Sequence, residues 1–196
     1  MSFLLENCTL YEMKKSADAG EFVCGDRDID DFFSKDCFGY AQQLLGKTYC
    51  YKLDEEPCKI VCAFTLANAS IRVDDLPNAR KKKIETDIPH TKSLKEYPAV
   101  LVGRLGVSCN FRSKHIGSEV LDFVKYWFVE PNNKTGCRFI IVDAYNNPAT
   151  LAFYERNDFK TVFSTEEQEK DYRHLKREIH LNTRLMYFDL LYILPR

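Results

Sequence analysis

Within GVSCNFRSKHIGSEVLDFVKYWF (Gly106 to Phe128), the residues Arg112, Ser113, Lys114, His115 and Gly117 have the types and spacing to bind an anion. The segment reads as a strand end, a short polar loop and a helix start. The first turn of a helix carries unpaired N–H groups and the positive end of the helix dipole, which suit a pyrophosphate. Arg112 and Lys114 place positive charge beside those amides, and His115 is a further candidate donor. Loops of this kind are usually rich in glycine. Here Ser113 and His115 stand where glycine would be convenient, and Gly117 remains. Alone the pattern is weakly specific, because strand, basic loop and helix recur in many folds.

Other chemistries find less support. The four histidines, His90, His115, His174 and His180, form no local metal-ligand pattern, and His174 and His180 lie in a charged, solvent-facing segment. The eight cysteines include no C-x-x-C pair. Cys58 and Cys62 lie four apart along the strand-like KIVCAF, and an extended chain holds them apart, so no metal is expected. The start MSFLLENCTLYEMKK has no basic residues followed by an apolar run, so it does not read as a secretory signal. The thiols are therefore read as reduced and the protein as cytoplasmic. No apolar run is long enough to span a membrane. The formal net charge of -1 offers no global attraction to nucleic acid or to an anionic membrane.

The elements that must position the loop follow from periodicity. At 196 residues the chain is read as one domain, 1–196. CTLYEM is a first strand. DRDIDDFFSKDCFGYAQQLLG is helical, with Ile29, Phe32, Phe33 and Cys37 as an apolar stripe extended by Tyr40, Leu44 and Leu45. Asp26 or Asp28 caps its start and Gly46 ends it. KTYCYKLD and KIVCAFTLANASI form a hairpin. Residues 72–98 are polar, hold the run Arg80-Lys81-Lys82-Lys83, and read as a long connection with a short helix. The basic run reads first as a solvated face, and alternatively as a contact for an anionic partner. AVLVGRLGVS is a central strand. After the loop come a helix with Ile116, Val120, Leu121, Phe123, Val124, Trp127 and Phe128 at helical spacing, the buried strand RFIIVDAY, the helix NNPATLAFYERND, the strand FKTVFS, the charged and partly helical TEEQEKDYRHLKREIHLN, and the strand TRLMYFDLLYI. The fold class is mixed α/β.

Taken in order, GRLGV (Gly103–Val107), RSKHIG (Arg112–Gly117), IIVDA (Ile140–Ala144) and ATLAFYERNDF (Ala149–Phe159) resemble the GNAT superfamily of acyl-CoA N-acyltransferases. The upstream FVCGDRDIDDFFSKDCFGYA and the terminal TRLMYFDL resemble the subgroup that includes the acetyltransferase toxins of toxin–antitoxin modules. The sequence departs from the family at Ser113, His115 and Asp158, where glycine is frequent. A non-glycine residue with positive φ costs about 1 kcal/mol. The resemblance implies one twisted mixed sheet of six to seven strands, flanked by helices and splayed between the fourth and fifth. It implies acetyl-CoA as co-substrate and no metal. Leu105 and Val107 would pair through their main chain with the pantetheine. Arg112, Ser113, Lys114, His115, Ile116, Gly117 and Ser118 would receive the pyrophosphate, and Asn146 would lie near the pantetheine.

The reaction so implied is transfer of an acetyl group to a primary amine by direct attack on the thioester. Tyr154 matches the family tyrosine assigned as the acid that meets the departing thiolate, and its bland alternative is packing at the helix interface. Phe153 and Tyr154, being adjacent, point to different faces of the helix. No general base is readable; Asp143 is a weak candidate. Arg104 reads equally as an ion pair beside the cleft or as a contact for an anionic acceptor or the cofactor. The acceptor is an unidentified small-molecule or macromolecular amine, with aminoacyl-tRNA as the toxin-like version. A non-catalytic acyl-CoA-binding module is the alternative class, and a homodimer is implied by analogy alone.

Overall fold

A computed structural model describes residues 2–15, 18–91 and 94–194. Seven strands form one sheet in the order β1-β2-β3-β4-β5-β7-β6. The mixed α/β class and the upper figure of the expected strand number are both observed. The strands are β1 (Cys8–Glu12), β2 (Lys47–Leu53), β3 (Ile60–Arg72), β4 (Glu96–Val107), β5 (Phe139–Tyr145), β6 (Lys160–Thr161) and β7 (Thr183–Asp189). The helices are α1 (Phe3–Asn7), α2 (Arg27–Asp31), α3 (Cys37–Gln42), α4 (Asn78–Ile84), α5 (Ile116–Phe128), α6 (Pro148–Arg156) and α7 (Glu166–Tyr172). The chain divides into two compact units, Met1–Asn68 with Leu101–Trp127 and Ala69–Val100 with Phe128–Arg196. The division falls within β3 and within β4.

In the first unit, β2 and β3 pair antiparallel as the hairpin pattern predicts, and β1 pairs antiparallel with β2. Asp26 caps α2 by accepting from the Ile29 amide at 3.1 Å. Phe33 and Cys37 are buried, and Phe33 packs in a cluster with Phe22, Cys24 and Cys50. The expected continuation of the stripe is not observed. Tyr40, Leu44 and Leu45 are exposed, Leu44 by 92%. A π-helical turn, Phe32–Asp36, breaks the 3.6-residue period between α2 and α3. Cys37 directly after it is still buried, Tyr40 is not, and Leu44 and Leu45 lie past the end of the helix. The helix then ends at Gln42, with Leu44 rather than Gly46 taking a left-handed conformation (φ 57°).

In the second unit, β7 pairs antiparallel with both β5 and β6. β4 starts earlier than its apolar run suggests, at Glu96. Asn147 caps α6 by accepting from the Thr150 amide at 2.9 Å, with Pro148 in the first turn. Asp158 closes the helix in a left-handed conformation (φ 65°), and the Phe159 amide reaches back to the Tyr154 carbonyl at 3.0 Å. The strand expected from FKTVFS shortens to two residues. The basic run lies on α4, where Lys82 and Lys83 are exposed. No helix among the described residues is long and apolar enough to cross a membrane.

Candidate active site

The C-terminal end of β4 fixes the first part of the site. The Arg104 amide donates to Thr65 Oγ1 at 2.9 Å, and the Ser108 amide donates to the Val61 carbonyl at 2.9 Å. Backbone groups alternate between the two edges of a strand, so the amides of Leu105 and Val107 turn to the opposite edge. Gly106 lies between them, and a Cβ there would meet Ile29 Cγ2 and Phe22 Cζ at 3.1 Å each. The upstream segment therefore packs directly on this strand end, and only glycine fits without a shift.

The loop after β4 makes one turn of 3-10 helix, Cys109–Phe111, and then enters α5. Ser113 (φ 62°) and His115 (φ 57°) are both left-handed, as Asp158 is in the second unit. All three positions at which this chain departs from the glycines of the GNAT pattern thus keep the conformation that glycine would favour. Among the described residues, the amides of Ser113, Lys114, His115, Ile116 and Gly117 donate to no protein group. The Ser118 and Glu119 amides close onto the His115 carbonyl at 2.9 and 3.1 Å. These free N–H groups at the head of a 13-residue helix can receive a pyrophosphate.

The side chains of the loop are placed less simply. Arg112 Nη2 donates to the Cys24 carbonyl at 2.6 Å, so this guanidinium ties the loop to the upstream segment. Lys114 Nζ sits over the rings of Phe3 and Phe111, at 4.5 and 5.6 Å from their centres. His115 is exposed. Arg104 pairs with Asp28 at 3.3 Å and lies over the Phe32 ring at 5.3 Å, which agrees with the ion-pair reading. Its Nε is buried and unpartnered among the described residues. Glu119, which the motif does not include, accepts from Ser2 Oγ, the Phe3 amide and the Leu4 amide at 2.8, 2.9 and 2.8 Å. Burial alone would raise its carboxyl, but these hydrogen bonds outweigh burial and hold it below the ordinary value.

The remaining candidates lie in the second unit. Tyr154 is half-buried and packs edge-on against Phe153 and Phe159, with ring centres 5.1 and 5.5 Å away. Phe153 and Tyr154 are therefore in contact, although they leave the helix in different directions. Burial pushes the Tyr154 phenol up to about 12, so it is protonated at neutral pH. Asn146 Nδ2 donates to Glu166 Oε1 and to the Leu181 carbonyl, both at 2.8 Å, which leaves Oδ1 as the part of this amide able to meet a ligand. Asp143 is paired with Arg173 at 2.6 Å. Arg173 also meets Glu169, which is fully buried and further accepts from Arg184 Nε and the Leu185 amide, at 2.7 Å each. Sequence reasoning missed Glu169 because it sits in a run of charged residues. His174 and His180 are exposed as expected. No group of three or more metal-ligating side chains occurs among the described residues. A pocket of about 310 Å³ in this unit, lined by Phe128, Cys137, Arg138 and Leu190 among others, contains none of the candidate residues.

Solved structures match this fold over nearly the whole chain. A tyrosine-to-phenylalanine variant of KacT aligns with a TM-score of 0.67 at 19% identity, over 96% of this chain and 98% of that one. The chain has a GNAT-type fold. AtaT complexed with acetyl-methionyl-tRNAfMet aligns with a TM-score of 0.69 at 16% identity, over 95% and 97% of the two chains. AtaTR bound with AcCoA aligns with a TM-score of 0.65 at 17% identity, over 96% of each. No family model matches the sequence, and no curated protein matches it at a significant level.

Proposed function

We propose that the chain, 1–196, is a cytoplasmic acetyl-CoA-dependent N-acetyltransferase whose acceptor is the amino group of an aminoacyl-tRNA. The observation that carries this reading is the row of free amides from Ser113 to Gly117 at the head of α5, held by two left-handed residues. The similarity in fold to AtaTR bound with AcCoA supports the donor, and the similarity to AtaT complexed with acetyl-methionyl-tRNAfMet supports the acceptor. The exposed Lys82 and Lys83 of α4 supply local positive charge for a polyanion despite the slightly acidic total.

Bound acetyl-CoA supplies the thioester: the amine nitrogen bonds to the acetyl carbon, the carbon–sulfur bond breaks, CoA leaves as a thiolate, and the proton lost by the amine passes to solvent water. The amides of Ser113 to Gly117, with Ser118 beside them, receive the pyrophosphate, and Lys114 adds charge. The outward amides of Leu105 and Val107 pair with the pantetheine, and Asn146 Oδ1 accepts from it. Tyr154 meets the thiolate. Its phenol, at about 12, lies above an ordinary thiol near 8.5, so it steadies the thiolate by donating a hydrogen bond and keeps its own proton.

Titration calorimetry with acetyl-CoA tests the donor: no heat at millimolar ligand would sink the reading. Acetyl transfer to a panel of aminoacyl-tRNAs tests the rest. Tyr154→Phe should lower the turnover rate by about 100-fold with the acetyl-CoA dissociation constant unchanged. Binding without transfer to any acceptor would instead favour a non-catalytic acyl-CoA-binding module.

A further inference from the structure

The left-handed conformations of Ser113 and His115 cost about 1 kcal/mol each for residues with a Cβ, and contacts from outside the loop brace the neighbouring Arg112 and Lys114. On one side Arg112 grips the Cys24 carbonyl at 2.6 Å. On the other side lies the segment Ser2–Leu4. Phe3 has its ring centre 4.5 Å from Lys114 Nζ and 6.0 Å from the ring centre of Phe111, so the ammonium sits over both rings at once. The segment is fastened to α5 by Glu119, whose carboxylate takes the Ser2 hydroxyl and the amides of Phe3 and Leu4 within 2.9 Å. Glu119 occupies the first turn of α5, beside the amides that would meet an anion. A free carboxylate there would repel that anion. Three donors from the segment instead engage its charge.

We propose that the segment Ser2–Leu4 positions the β4–α5 loop for its anionic ligand, with Phe3 holding Lys114 and Glu119 holding the segment. This rests on the reading of the loop as the acetyl-CoA site. Phe3 and Glu119 are positioning residues, acting through the loop backbone and Lys114.

Titration calorimetry with acetyl-CoA on the full chain tests the proposal. Phe3→Leu keeps the apolar bulk and removes the aromatic face, and should raise the dissociation constant about three- to fivefold. Phe3→Tyr restores the face and should stay within about twofold of the unaltered protein. In a Lys114→Met background Phe3→Leu should have no further effect; an equal loss there would show general packing and overturn the proposal. Glu119→Gln separates the two physical accounts by sign. Simple repulsion predicts tighter binding of the anionic ligand once the charge is gone. Positioning predicts binding about three- to tenfold weaker, because the neutral amide holds the segment less firmly. Tighter or equal binding overturns the proposal. If the unaltered protein binds no acetyl-CoA, the functional reading falls and the inference falls with it. If it binds and all variants bind alike, the inference falls alone.

Discussion

The β4–α5 loop and the α7–β7 region treat their polar groups in opposite ways. The loop leaves the amides of Ser113 to Gly117 uncommitted and accepts two left-handed non-glycine residues. In the α7–β7 region the charges are saturated: Glu169 is shared by Arg173, Arg184 and the Leu185 amide, and Asp143 completes the pairing of Arg173. The contrast separates a surface whose donors remain open from a network that satisfies its own charges. A cluster of charge by itself therefore marks no site; what marks one is donor capacity left open.

The largest expected effect lies in the saturated network. Glu169→Ala leaves two arginines without their buried partner and should destabilise the protein by about 3–5 kcal/mol, read by urea denaturation. The folded fraction should still bind acetyl-CoA normally; a specific loss of affinity would break the contrast by giving Glu169 a part in the site. A smaller effect is expected in the loop. His115→Gly removes a left-handed residue with a Cβ and should stabilise the protein by about 1 kcal/mol, because its side chain is exposed. Destabilisation would show that the imidazole makes a contact that matters. The smallest effect is the pH dependence of Glu119. Its carboxyl sits below the ordinary value of 4.5 in the folded protein. Its contribution is therefore complete above that value and is lost as pH falls through the lower, folded one. The stability gap between the unaltered protein and Glu119→Gln should narrow on acidification, measured by urea denaturation at stepped pH. A gap that widens would contradict the hydrogen-bonded carboxylate.

Much of the loop was legible in the sequence because the function proposed for it depends on backbone geometry at a strand–helix junction. The junction announces itself through the apolar strand, the basic loop and the periodic helix. Even the departures were legible: Ser113, His115 and Asp158 raise the question of positive φ, and the chain answers with 62°, 57° and 65°. Three features were not. Glu119 meets residues more than 110 positions away, and no local period encodes such a pair. Glu169 looks solvated in TEEQEKDY, yet it is fully buried because two arginines and an amide converge on it from α7 and β7. The π turn after α2 is invisible to an argument from a 3.6-residue repeat, and so is the early end of α3 at Gln42, which leaves Leu44 and Leu45 outside the helix.

The distribution of the thiols gives the loop an experimental handle. All eight cysteines are free, and only Cys58 and Cys109 are exposed. Burial raises the thiols of Cys8, Cys24, Cys37, Cys50, Cys62 and Cys137, which slows their reaction with alkylating reagents. Cys109 begins the short turn that leads to Arg112. With Cys58 replaced by serine, a maleimide dye should attach almost exclusively at Cys109. Its emission would then report ligand arrival at the loop in real time, before any acceptor is known.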